Sequence, residues 1–169
     1  MEEKNPLATS ALPGVEQRAD DQGTHSDTTG LSSDPIAGES PVILVVDDAA
    51  DNVAILSLDL QQVGYRVVTA TNGEEAVSVA RAIGPNLILM DISMPRLDGL
   101  GATSKIREID QLREVPIIAI TAFDTEGFKR AAYDVGVSGY LTKPIDFDRM
   151  HQLIGRLLAP GAVNSLMSK

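Results

Sequence analysis

Val42-Ile43-Leu44-Val45-Val46-Asp47-Asp48 is an unbroken apolar run that stops at two carboxylates. Three similar runs follow. Leu87-Ile88-Leu89-Met90 stops at Asp91, Pro116-Ile117-Ile118-Ala119-Ile120 stops at Thr121, and Tyr140-Leu141 is followed at a distance of two by Lys143. Such short apolar runs, bounded by polar residues and separated by longer segments of helical period, read as strands buried on both faces, because a strand with one wet face would alternate. Arg66 to Ala70 reads as a further strand between the first two.

The spacing predicts five helices between and after these strands. The first runs from about Asp51 to Val63, with Val53, Leu56, Leu60 and Val63 on one face and Gly64 as its stop. The second starts at Asn72, where Glu75 completes a capping box and Ala76, Ala80 and Ile83 face inward. A third, near Leu100 to Ile109, is weakened by Gly101 in its first turn, which costs up to about 1 kcal/mol against Ala. The fourth, near Thr125 to Val135, has few large apolar residues, whereas the fifth is capped by Asp146 and stripes Phe147, Met150, Ile154 and Leu157.

Strand-helix alternation repeated five times implies an α/β doubly wound parallel sheet, since right-handed crossovers place helices on both faces. The five-unit count favours the flavodoxin-like strand order 2-1-3-4-5. In that order the topological switch point lies between the first and third strands, and ligands bind at the carboxyl ends of the strands. Asp47, Asp48, Asp91, Thr121 and Lys143 are all at or just beyond such ends.

The whole chain, 169 residues with no Cys and a net charge of −10, suits one domain of ordinary size and excludes disulfides and thiolate metal sites. The lack of Cys suits a reducing cytoplasm, and no apolar stretch has the length of a membrane span or a signal peptide core. Residues 1–40 hold 8 acidic and 2 basic side chains, lack aromatics and are rich in Ser, Thr, Gly, Pro and Asp. They read as a disordered acidic extension, followed by a folded domain over residues 41–160 and a short tail over 161–169. No basic stripe with interleaved aromatics is present, so no nucleic-acid partner is expected.

Three carboxylates sharing a crevice repel, at about 4 kcal/mol per pair for about 4 Å and an effective dielectric near 20. Protons or a divalent cation must offset this, and Mg2+ fits best because it takes few oxygen ligands, keeps waters and accepts a phosphate oxygen. Neither Cys nor a His cluster offers a softer metal a home. A carboxylate attacks phosphorus to give an acyl phosphate, and the charge of that transition state sits on three equatorial oxygens. Mg2+, the Lys143 ammonium, and the Thr121 hydroxyl with a backbone N–H would each take one, leaving Asp91 as the nucleophile.

In this ordered set the stretch from about Val42 to Leu158 resembles the receiver domain of two-component response regulators. The match rests on the acidic pair, Met90-Asp91-Ile92-Ser93-Met94-Pro95 with Asp98-Gly99, Thr121-Ala122, and Tyr140-Leu141-Thr142-Lys143-Pro144. The resemblance implies that Asp91 accepts a phosphoryl group from a histidine kinase or histidine phosphotransfer protein. It implies that Asp48, Asp91 and the Ser93 carbonyl ligate Mg2+ with Asp47 acting through water, and that the Lys143-Pro144 bond is cis. It assigns Thr121 and Tyr140 a switch role that alters the face of the fourth helix, fifth strand and fifth helix, the surface for a homodimer or a downstream protein target. Phe123 and Phe128 belong either to that surface or to core packing. The expected protein is a stand-alone cytoplasmic phosphoacceptor, able to catalyse its own phosphorylation and dephosphorylation but not a turnover enzyme.

Taken singly, each residue has an ordinary explanation. Asp47 and Asp48 could cap the first helix, Thr121 could be a plain strand-end hydroxyl, Lys143 a surface cation and Pro144 a first-turn proline. Tyr140 could be a half-buried sheet aromatic with its hydroxyl in water. Asp91 resists such a reading, because an unpartnered carboxylate after four apolar residues is costly. A haloacid-dehalogenase-like phosphatase uses the same chemistry but opens with Asp-x-Asp and closes with its acidic pair, the reverse of this order. A binding module retaining only the fold would not need the full acidic, hydroxyl and lysine set. A nicotinamide enzyme is disfavoured because no Gly-x-Gly-x-x-Gly follows the first strand.

Overall fold

The computed structural model describes residues 40–159. The acidic extension, apart from Ser40, and the expected tail lie outside the described residues. Within them the strands are β1 (Val42–Val46), β2 (Arg66–Ala70), β3 (Leu87–Asp91), β4 (Ile117–Thr121) and β5 (Gly139–Thr142). The helices are α1 (Ala50–Gln62), α2 (Gly73–Ile83), α3 (Gly99–Arg107), α4 (Glu126–Asp134) and α5 (Phe147–Leu158), with a 3-10 turn at Asp110–Leu112. All strands pair in parallel in the order β2-β1-β3-β4-β5, the doubly wound arrangement expected.

Alternation along each strand divides the core into two layers. Leu44, Val46, Ile88, Met90 and Ala119 face Ala76 and Ala80 of α2, Ala102 and Ile106 of α3, and Ala132 of α4. Ile43, Val45, Leu87, Leu89, Ile118 and Ile120 face Leu56 and Leu60 of α1, and Met150, Leu153 and Ile154 of α5. Because β1, β3 and β4 are covered on both sides, their apolar runs need no polar alternation. Each large aliphatic side chain taken fully out of water contributes about 1.5–3 kcal/mol, so these three strands are the rigid frame that carries the rim.

Local chemistry explains the helix starts. Asn72 accepts the Glu75 amide at 3.0 Å, and Asp98, Thr125 and Asp146 cap α3, α4 and α5 in the same way. The capping box at Asn72 differs from the expected form. The Glu75 carboxylate accepts from the amide and hydroxyl of Thr71, at 2.8 and 2.7 Å, one residue before the cap. Helix α3 starts at Gly99 because Asp98 caps it, and stops at Arg107, short of Ile109, where the 3-10 turn takes over.

Two expected core positions are corrected. Val63 is 56% exposed and Ile83 39% exposed, because each stands at a helix end where the apolar stripe has passed the sheet edge. On α5, Leu153 is buried in addition to Met150 and Ile154, and Phe147 and Leu157 are half-buried. Among the described residues no helix is long and apolar enough to cross a membrane.

Candidate functional site

Backbone pairing brings the strand ends level. Val46 lies opposite both Ala70 and Met90, Asp91 opposite Ile120, and Thr121 opposite Thr142. The residue after β1 is Asp47 and the last of β3 is Asp91, so both carboxylates enter the crevice between strands whose connections leave in opposite directions. Asp47 and Asp91 are buried and Asp48 is exposed, and one oxygen from each lies within 4.8 Å of the others.

Lys143 closes the group. Its Nζ donates to Asp47 Oδ2 and to Asp91 Oδ2, each at 3.0 Å. Burial pulls the ammonium pKa down, but hydrogen bonds to Asp47 and Asp91, with their charge, outweigh burial and hold it above the ordinary Lys value. The lysine is aimed by its backbone, since the Lys143 amide donates to the Thr121 carbonyl at 2.8 Å, and the Lys143-Pro144 bond is cis as the resemblance implied. Three carboxylates against one ammonium leave a formal charge of minus two, which matches a divalent cation.

The remaining expected residues are placed as follows. Ser93 lies on the exposed loop after β3, and its amide donates to Asp91 Oδ1 at 3.1 Å. Gly99 lets the start of α3 press against β3, since a Cβ there would overlap the Asp91 carbonyl and come within 2.8 Å of Ile92 Cα. Thr121 is fully buried and its Oγ1 accepts the Phe123 amide at 3.1 Å. Neither Asp47 nor Asp48 is the cap of α1, a position held by Ala49, although Asp47 Oδ1 accepts the Ala49 amide at 2.8 Å.

Tyr140 corrects the plain expectation for it. Its ring is only 6% exposed and its hydroxyl donates to the Phe123 carbonyl rather than to water. Burial raises the phenol pKa, and Lys129 Nζ stands 5.9 Å from the ring centroid. Phe123 itself is 53% exposed and lies 5.1 Å from Phe128 between ring centroids, so it forms part of the α4 surface.

Two residues that sequence reasoning passed over contact this frame. Asn52, in the first turn of α1, donates its amide to Asp47 Oδ2 at 3.0 Å. The available clue was an amide side chain four residues past the acidic pair, one helical turn from the rim. Arg107 donates to the Gly136 and Leu112 carbonyls, fastening the end of α3 to the turn before β5. A groove of about 280 Å³ beside the site is bounded by Asn52, Ile55, Leu56, Lys143, Pro144, Ile145 and Phe147.

Comparison with known proteins agrees with this geometry. The response regulator receiver domain family matches residues 43–155. The polar-differentiation response regulator DivK of Brucella anthropi is 35% identical over 112 residues, covering 66% of this chain and 91% of DivK. The signal transduction histidine-protein kinase BarA of Shigella flexneri is 34% identical over 134 residues, which are 78% of this chain but 15% of BarA. Among solved structures, chemotaxis protein CheY4 of Vibrio cholerae superposes with a TM-score of 0.68 at 29% identity, over 70% of this chain and 99% of that one. The receiver domain of sensor histidine kinase PA1611 of Pseudomonas aeruginosa, solved with a magnesium ion in its active-site cleft, gives 0.66 at 34% identity, over 70% of this chain and 98% of that one. By the match over its folded part and by its sheet order, the chain belongs to the response regulator receiver domain family.

Proposed function

We propose that Asp91 accepts a phosphoryl group from a histidine kinase or histidine phosphotransfer protein, and that the change is read by a downstream protein. The observation that supports this reading best is the convergence of three carboxylates and Lys143 at the switch point between β1 and β3. An Asp91 carboxylate oxygen forms the new O–P bond as the P–N bond to the donor imidazole breaks, its electron pair returning to the ring.

Asp48 and Asp91 with the Ser93 carbonyl would hold Mg2+, Asp47 acting through water. An all-oxygen donor set with two uncompensated negative charges fits that hard cation. When bound, the ion neutralises charge on the incoming phosphoryl oxygens. Lys143 already stands 3.0 Å from Asp91 Oδ2 and from Asp47 Oδ2, and a short swing of its flexible chain brings it to a second phosphoryl oxygen. The Thr121 hydroxyl, with a neighbouring amide, takes the third.

The same hydroxyl connects the site to the surface. Thr121 Oγ1 accepts from Phe123, and the Phe123 carbonyl takes the Tyr140 hydroxyl, so drawing Thr121 toward phosphate shifts both aromatic residues. A bias of about 1–3 kcal/mol is enough to change which arrangement of α4, β5 and α5 is populated. That face is the surface we assign to a downstream protein or a second copy, in the cytoplasm where such donors act.

Exposure to acetyl phosphate with Mg2+, read by intact mass, tests the reading. Wild-type protein should gain one phosphoryl group, and Asp91→Asn or removal of Mg2+ should abolish the gain. Labelling that persists in Asp91→Asn would sink the assignment.

A further inference from the structure

Asp47 is buried and yet nearly every lone pair it offers is already taken by the protein. Oδ1 accepts the Ala49 amide at 2.8 Å, and Oδ2 accepts both Lys143 Nζ and Asn52 Nδ2 at 3.0 Å. Asp91 keeps more acceptor capacity open, with one bond on each oxygen, from the Ser93 amide and from Lys143. Asp48 differs, because it is exposed and no hydrogen bond to its carboxylate is found among the described residues.

A carboxylate can turn about its terminal torsion, which has broad wells. For Asp47 the backbone donor at Ala49 fixes one oxygen only. The second oxygen is shared between a flexible lysine, which must move when Asp91 is modified, and an asparagine anchored on α1. Asn52 is therefore the partner that stays when Lys143 swings, and the one that keeps Oδ2 directed at the lysine instead of at a cation.

We infer that Asn52 is a positioning residue of the phosphoryl-transfer site: it holds the Asp47 carboxylate as the anchor of Lys143 and keeps it from ligating the metal directly, leaving it to act through water. The inference rests on the reading of Asp91 as phosphoacceptor. It separates metal affinity from transfer rate. Loss of the Asn52 donor leaves a buried oxygen less satisfied and freer to approach Mg2+, so the cation binds more tightly while the ammonium is aimed less well. Removing outer donors of this kind typically costs about 10–100-fold in metal affinity or activity, and here the loss is assigned to activity.

The test compares wild type, Asn52→Ala and the similarly sized Asn52→Leu, neither of which can donate to Asp47 or adds a charge beside it. Mg2+ affinity is measured by calorimetry without a phosphodonor, and the phosphorylation rate with acetyl phosphate at saturating Mg2+. Both variants should bind Mg2+ as tightly as wild type or more so, while their rates fall about 10-fold. Affinity and rate falling together, or both staying at wild-type values, would overturn the role given to Asn52 while leaving Asp91 in place. Wild-type protein that neither binds Mg2+ nor takes up phosphate would overturn the phosphoacceptor reading, and this inference with it.

Discussion

The rim between β1 and β3 and the face around α4 are neighbours held by different forces. At the rim, Asp47 and Asp91 are buried and tied by charge-assisted bonds to Lys143, on strands packed from both sides. At α4, Ala132 is the one buried helix residue, where α5 buries Met150, Leu153 and Ile154. Lys129 there is anchored by exposed ion pairs with Asp124 and Glu126, which contribute little in water. A chemical event needs fixed distances and a reporter needs cheap motion. Under the proposed function, the event falls to the tightly packed rim and the reporting to the loosely packed α4 face.

The largest effect that could break this comparison is at the rim. Asp91→Asn should lower phosphoryl uptake below detection while leaving the circular dichroism spectrum unchanged, because Asn fits the same space but is not a nucleophile. Next is Lys143→Ala, which removes the cation facing two buried carboxylates. It should lower thermal stability without Mg2+, recover part of it as Mg2+ is added, and abolish the phosphorylation-induced change in amide chemical shifts. A variant that stays as stable as wild type in EDTA would show that the rim is not held by charge.

Packing offers a third comparison. Met150→Ala on α5 should cost about 2–5 kcal/mol in denaturant unfolding through the cavity it leaves. Ala132→Gly on α4 should cost about 1 kcal/mol, chiefly by helix propensity. Native-state hydrogen exchange should likewise open α4 amides at lower free energy than those of α5. Equal protection would remove the basis for treating α4 as the mobile element.

The smallest expected effect lies at the start of α2, at an exposed hydrogen bond outside the carboxylate and lysine cluster. The Thr71 amide, then the Thr71 hydroxyl, hold the Glu75 pKa below its ordinary value, slightly opposed by burial. A lowered folded-state pKa means stability that is present above the unfolded Glu value and is lost as pH falls through the folded one. Wild type should therefore lose slightly more stability on acidification than Glu75→Gln, measured as the difference in Tm between neutral and acid buffers. Because Glu75 is exposed, that difference should be small beside those at the rim and in the core.

Strand identity was legible because β1, β3 and β4 are covered on both faces, and only uninterrupted apolar runs satisfy such an environment. Asp47, Asp91, Thr121 and Lys143 could be placed on one rim for a related reason, since the end of a buried run is also the carboxyl end of a parallel strand. Helix ends were less legible. Apolar period runs on past the last packed turn, as Val63 and Ile83 show, and Glu75 caps Thr71 rather than Asn72 because the reach of a side chain depends on the preceding strand.

The chain order of its apolar runs and their polar terminators was enough to decide that this protein is a doubly wound sheet with an acidic, lysine-bearing rim, because burial and period are local properties of the residues. Contact between elements distant in sequence decided the rest. That Asn52 turns to Asp47, that Lys143 bridges Asp47 and Asp91, and that Tyr140 lies inward against the Phe123 carbonyl are outcomes of packing. Each is a choice among rotamers of nearly equal intrinsic energy, and only the neighbours brought in by the fold select one.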